Sequence, residues 1–309
     1  TSDKAKFEAH VMSKKEAVAI FKAAFAASVW GASFIATKVA LQGLSPYSLI
    51  WARFAIGIPV LGGALLSRKQ SISMPLSEMP ILILMGFLGV TLHHLLQGVG
   101  LLTAQASTSA WIITTTPVFI ALLGYLVLKE RLGYAKIAGI ALAALGVVVV
   151  VSRGDINSLL SGRFGTVGDF LMAISAVNWA VFSVLSRQAL KKHPAALMMF
   201  YVMVVGWLFL NLPFFLLGSG FSDFFDLSFS GWMGLFFLGI FCSGLAYVFW
   251  YDALEAMEAS RVGAFMYLEP LIALVVAALV LGEPIAPVTL SGGVMILIGV
   301  WLVNRNSSK

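Results

Sequence analysis

The chain has 309 residues, of which 60% are hydrophobic and only 11% are Asp, Glu, Lys or Arg, and it carries a formal charge of +6. Soluble domains carry about 25% charged residues, and a compact soluble fold cannot hide so much apolar surface, so the surplus is expected to face lipid. The basic residues stand at the ends of apolar runs rather than in a patch on a polar segment, which reads as loop charge and not as a nucleic-acid surface.

Residues 1–16 form a polar N-terminal segment, and His10-Val11-Met12 reads as a cloning junction ahead of an expected native start at Met12. The first apolar run is far longer than the roughly 7 to 15 residues of a cleaved signal peptide. A membrane span needs about 20 apolar residues, and polar or Pro/Gly-rich breaks delimit ten such runs. They fall at 17–42, 46–67, 79–102, 106–128, 133–151, 166–190, 194–218, 230–254, 260–282 and 286–304. The stretches 152–165 and 219–229 are the longest connections, and neither can hold a domain; residues 305–309 form a tail. Cys242 is the one cysteine, inside an apolar run, so it reads as a small buried hydrophobe and leaves no disulfide framework or thiolate metal site.

With the N terminus in the cytoplasm, all of the 20 Lys and Arg residues except Lys38, Arg53, Arg153 and Arg163 fall on the cytoplasmic side, which predicts both termini there. A shift of 153 residues superimposes Pro117 on Pro270, Leu128 on Leu281, Glu130 on Glu283, Gly139 on Gly292 and Gly146 on Gly299. Nearer the start of each half, a shift of 149 superimposes Trp30 on Trp179 and Lys38 on Arg187. The chain therefore reads as two repeats, 17–151 and 166–304, joined by a linker at 152–165. Five spans is an odd number, so the second repeat enters the membrane from the opposite face. The predicted fold is an all-α membrane protein of ten transmembrane helices, arranged as two inverted five-helix repeats around a central cavity.

The sequence resembles the EamA-like transporters of the drug/metabolite transporter superfamily. The resemblance rests on Trp30-Gly31-Ala32-Ser33-Phe34 with Lys38, Pro46 with Ala52-Arg53-Phe54, Pro117, and Leu128-Lys129-Glu130-Arg131-Leu132 with Gly139 and Gly146. Glu269-Pro270 and Leu281-Gly282-Glu283-Pro284 repeat the theme, and the likeness runs from about residue 17 to residue 304. It implies a permease of a bacterial inner membrane, usually an exporter of amino acids, related metabolites or toxic compounds. It does not fix the substrate.

Glu269 is the sharpest candidate for binding a substrate or coupling ion: a carboxylate in mid-span must be paired, protonated or facing a cavity. The alternative is a structural carboxylate held by hydrogen bonds. Pro117 and Pro270 each remove a helical hydrogen bond, freeing the carbonyls of Ile113 and Met266, and broken helices at matching positions of two repeats point to a central site. Arg53 is either the partner of a membrane carboxylate or a docking cation for a substrate carboxylate, with pairing favoured. Lys38 and Arg187 read as snorkelling cations or as a repeat-related pair facing the pathway.

His93, His94 and Gln97 share one stretch of span three, and adjacent histidines diverge by about 100° around a helix, which argues against a metal site; one of them could line the pathway. Trp30, Trp111, Thr115, Asn178, Trp179, Tyr247, Trp250, Tyr251 and Tyr267 could form an aromatic and hydroxyl-lined cavity, although aromatic residues are common in any membrane core. Glu130 and Glu283 read as loop or gate ion pairs, and the Gly139, Ala143, Gly146, Gly292 and Gly299 seams as close helix packing.

No GxxxxGK[ST], HExxH or GxSxG pattern is present, so no ATPase or intramembrane enzyme is expected, and no cofactor. A channel would need a ring of charges or a carbonyl filter. The expectation is a secondary carrier that moves a small organic solute outward across the inner membrane by alternating access, with any proton coupling running through Glu269. An importer of the same fold is the alternative. Its partners would be a small-molecule substrate and the lipid bilayer, and a monomer suffices for a pathway, with a weak homodimer as the alternative.

Overall fold

In a computed structural model, residues 2–68, 73–128, 133–155, 165–189 and 192–304 are described, and these residues form helices and turns without a strand. Among the described residues, ten helical stretches are long and apolar enough to cross a membrane. The first five are Lys15–Ala40, Pro46–Ser67, Leu76–Gly100, Ala106–Leu126 and Tyr134–Ser152. The second five are Val167–Ser186, Ala195–Leu216, Phe229–Ala256, Arg261–Leu281 and Pro287–Asn304. They are spans one to ten below. The face that holds the start of span one is called the terminal face.

Local signals set the span ends. Ser45 accepts a hydrogen bond from the Ser48 N–H (3.1 Å) and is followed by Pro46, so span two begins with a capped first turn. Span nine stops at Gly282, whose φ of +66° suits a residue without a side chain. At the opposite face, Asp223 accepts from the Ser45 N–H (3.0 Å) and fixes the turn into span two. Burial alone would push the Asp223 carboxyl up, but hydrogen bonds from Ser45, Ser48 and Ser219 outweigh it and hold the group below its ordinary range.

The main helix pairings are kept when each span is exchanged for its counterpart in the other half. Span one packs on spans eight and nine, and span six packs on spans three and four; span two packs on span eight, and span seven on span three. Spans five and ten pair with each other, as do two and seven, and four and nine. The direction is visible in the glycines. A Cβ on Gly139 would lie 2.6 Å from the Gly299 carbonyl oxygen, and one on Gly146 would lie 2.7 Å from that of Gly292. Moving forward along span five therefore means moving backward along span ten. Repeat-equivalent helices that run antiparallel are what an inverted repeat produces.

Four spans are interrupted, in two repeat-related pairs. Spans three and eight contain π-helical segments at Phe87–Leu92 and Phe237–Leu245, which no sequence pattern had indicated. Span four breaks at Thr114 and Thr115 ahead of Pro117, and span nine passes through a 3-10 turn at Phe265–Tyr267 ahead of Pro270. The carbonyls expected to be free are engaged. The Thr116 hydroxyl donates to the Ile113 oxygen (2.7 Å), and the Leu268 N–H turns back toward Phe265 and Met266. Proline leaves a vacancy, and in a medium without water a neighbouring donor fills it.

The glycine seam yields a stability test. Gly146→Leu should lower the thermal unfolding midpoint in detergent by an amount equivalent to about 1–3 kcal/mol, because the added side chain meets backbone. Gly63→Ala, with no atom within 4 Å of its Cβ position, should not lower it, since alanine only improves the helix there. Equal midpoints for the two variants would reject the seam.

Candidate functional site

The buried polar groups converge where spans two and eight cross. Gly57 makes the crossing tight: a Cβ there would lie 2.5 Å from the Ser243 Cβ. One turn earlier on the same helix, Arg53 is 4% exposed, and its Nε donates to the Ser243 hydroxyl at 2.7 Å. The guanidinium also stands over the Phe54 ring, 5.6 Å from the centroid. Pairing with a membrane carboxylate, favoured from sequence, does not occur among the described residues: the partner is a neutral hydroxyl.

An aromatic wall flanks this pair. The Trp30 indole donates to the Cys242 carbonyl (3.1 Å) in the π-helical segment, and its ring packs on Tyr247 and Trp250 with centroids 5.2 Å away. Tyr251 stands beyond Tyr247. The residue after Trp30 is Gly31, whose missing side chain lets span one touch the span-nine backbone at Glu269; a Cβ there would lie 2.5 Å from the Glu269 carbonyl oxygen. Glu269 is 7% exposed, and its carboxylate has neither a hydrogen-bond nor an ion-pair partner among the described residues. The wall links the two groups: Trp30 donates to the carbonyl of the residue before Ser243, which holds Arg53, and the neighbouring Gly31 touches the backbone of Glu269.

A histidine cluster adjoins Phe54, the ring under the Arg53 guanidinium. His93 bonds the Ser175 hydroxyl through Nδ1 (2.8 Å) and the Gln97 amide through Nε2 (3.1 Å), and it packs on Trp179 at 4.5 Å. His94 packs on Phe54 (4.8 Å) and His93 (5.0 Å), and neither of its ring nitrogens has a hydrogen-bond partner among the described residues. The Asn178 amide donates to the Leu88 carbonyl (2.7 Å) in the π-helical segment of span three.

The model of the EamA-like transporter family matches the chain twice, over residues 17–152 and 166–305. The chain belongs to the EamA-like transporter family. It is 33% identical to a protein of Archaeoglobus fulgidus named an uncharacterized transporter, over 91% of this chain and 95% of the relative. It is 28% identical to a probable terminal-alkyne amino-acid exporter of Streptantibioticus cattleyicolor, over 90% of each. A solved crystal structure superimposes with a TM-score of 0.65 at 21% identity, covering 94% of this chain and 96% of that one, and so shares its fold.

Other sequence-predicted residues of this EamA-like transporter lie apart from the cluster. Trp111 is 1% exposed, packed on Gly293 in the seam of spans four, five and ten. Thr115 donates to the Ile112 carbonyl (2.6 Å), closing its own helix turn. Lys38 donates to the Ala104 carbonyl (2.6 Å) near the opposite face and ties span one to the connection between spans three and four. Tyr267 is half-buried, and its hydroxyl accepts from the Asn304 amide (3.2 Å). The side chain of Arg187, Glu130 and its flanking Lys129 and Arg131 all lie outside the described residues.

The two faces are tied by different chemistry. The described ion pairs Lys22–Asp252, Arg68–Asp252, Glu78–Lys192 and Glu16–Arg261 all lie on the terminal face. On the opposite face, Glu283 makes no ion pair among the described residues, which corrects the sequence reading. It accepts from the N–H groups of Ala106 (2.8 Å) and Ser107 (3.1 Å) and from the Ser107 hydroxyl (2.6 Å), capping span four, because a carboxylate at a helix N terminus satisfies otherwise orphaned donors.

Sequence reasoning missed Asp252, which accepts from Lys22 (2.6 Å) and from both terminal nitrogens of Arg68 and so joins spans one, two and eight. Hydrogen bonding to Asp252 holds the Arg68 guanidinium above its ordinary range. An acidic residue in a run of aromatics was the available signal. Asp252→Asn should reduce stability by about 1 kcal/mol, since the cations are part-exposed. It should also weaken the loss of stability between 0.1 and 1 M salt, followed by thermal unfolding. Identical salt responses of variant and wild type would reject the role.

Proposed function

We propose that the chain is a secondary carrier for a small amphipathic solute bearing both an anionic and a cationic group, of which an α-amino acid is the simplest. One observation carries this reading: Arg53 and Glu269 are buried on elements that both meet span one at Trp30-Gly31, and neither has an ion-pair partner among the described residues. A charge in hydrocarbon costs several kcal/mol unless it is compensated, and a zwitterion lying between the two compensates both. Trp30, Tyr247 and Trp250 supply an apolar wall and a cation-attracting π-face. The relative named as an amino-acid exporter supports the same substrate class.

The inverted pairing of the spans supports alternating access, and the ion-paired terminal face fits the cytoplasmic side, where loop cations concentrate. With solute leaving and protons entering, Glu269 would hold the ammonium group and the proton in turn. The bilayer would be a cytoplasmic membrane.

Solute counterflow in proteoliposomes, run over amino acids, polyamine-like cations and nucleosides with an imposed pH gradient, tests the reading. Flux should saturate for amino acids and respond to acidification of one side. Glu269→Gln should abolish coupled flux while its size-exclusion profile stays that of the wild type. A fully active Glu269→Gln carrier would sink the assignment.

A further inference from the structure

The duplication supplies an internal control for the Arg53 site. The shift of 149 superimposes Arg53 on Val202 and Gly57 on Gly206, and the shift of 153 superimposes Gly86 on Gly239 and Val90 on Ser243. The two crossings match contact for contact. A Cβ on Gly57 would lie 2.5 Å from the Ser243 Cβ, and one on Gly206 would lie 2.4 Å from the Val90 Cβ. A Cβ on Gly239 would lie 3.2 Å from the Arg53 carbonyl, and one on Gly86 would lie 3.0 Å from that of Val202. One crossing thus carries Arg and Ser where its twin carries Val and Val. The twin shows that this packing needs no polar pair, so the hydroxyl at position 243 answers to something other than helix association.

Resting on the carrier reading above, we propose that Ser243 is the positioning residue of the site: it fixes Arg53 as the group that recognises a carboxylate on the transported solute. Ser243 is fully buried, and its hydroxyl holds Nε. That bond occupies one side of the guanidinium fork and leaves the terminal Nη pair for an incoming anion. Two parallel N–H donors match the two oxygens of a carboxylate. Without the hydroxyl, Nε would lose its acceptor in a dry site and the long arginine side chain would regain rotamer freedom. The acceptor must be neutral: a carboxylate at 243 would saturate the arginine and cancel its charge. Serine orients the cation and leaves the charge to the solute.

The test is an isosteric pair. Ser243→Thr keeps the hydroxyl, and Ser243→Val has the same shape and carries the side chain found at the twin crossing. Counterflow of a panel of α-amino acids and their carboxamides is measured for the full chain, with thermal unfolding as the fold control. Both variants should unfold within a few degrees of each other. The threonine variant should keep the wild-type preference for acid over amide. The valine variant should raise KM for the acids about tenfold, the loss of one charge-assisted hydrogen bond, with KM for the amides little changed. Equal acid-to-amide selectivity of the two variants would overturn the role of Ser243, as would wild-type exchange indifferent to the carboxylate. Exchange of no panel member by the wild type would instead overturn the carrier reading for this solute class, and this role with it.

Discussion

Helices in lipid gain nothing from hiding apolar side chains from one another, because the tails around them are equally apolar. Their association must come from close contact, and here that contact is backbone against backbone at glycine. The crossings of spans five and ten, two and eight, and three and seven all place a glycine against the facing backbone or Cβ. This constraint comes before the rest of the structure. It brings the two halves within reach of each other, and only then can Arg53 of the first half meet Ser243 of the second.

A duplicated scaffold built this way is nearly symmetric, but its chemistry is not. Arg53 stands where the twin position carries Val202, Glu269 where the other half carries Thr116, and Tyr247 where it carries His94. Thr116 is used up by its own helix, donating to Ile113, whereas the Glu269 carboxylate has no partner among the described residues. In the carrier proposed above, symmetry supplies the motion, since exchanging the shapes of two similar halves exposes a central site to either face. Asymmetry supplies its binding groups, since a mirrored pair of charges would suit only a symmetric solute.

The all-helical class, the ten spans and the family were legible because they follow from composition, run length and motif spacing, each a property of neighbouring residues. The breaks at Pro117 and Pro270 were legible for the same reason. What that local reading could not show was which vacancy a break would leave. The hydroxyl of Thr116 answers the carbonyl of Ile113 one turn away, and no sequence rule says whether it will donate there or to a solute. The π-helical segments were invisible as well, for they arise where Trp30 and Asn178, from other spans, take up the carbonyls of Cys242 and Leu88. Nothing local in the sequence singles out Ser243. Its hydroxyl stands out only beside the twin crossing, where valine does the same packing without one.

The different ties on the two faces have a consequence for how the halves can move. Asp252 binds cations from two other helices, so span eight can part from spans one and two only by exposing three charges, and water and salt on that face ease the separation. Glu283 binds the backbone of span four through two N–H groups and a hydroxyl, and its release leaves orphaned helix donors that water can also satisfy. Both ties are weakest when wet and strongest when closed. In the carrier proposed above, the buried cluster between them obeys the opposite rule: Arg53 and Glu269, buried without an ion-pair partner among the described residues, are costly when dry and least costly beside a charged solute. On that reading a bound solute stabilises the state in which both faces are shut, and its departure favours whichever face first admits water.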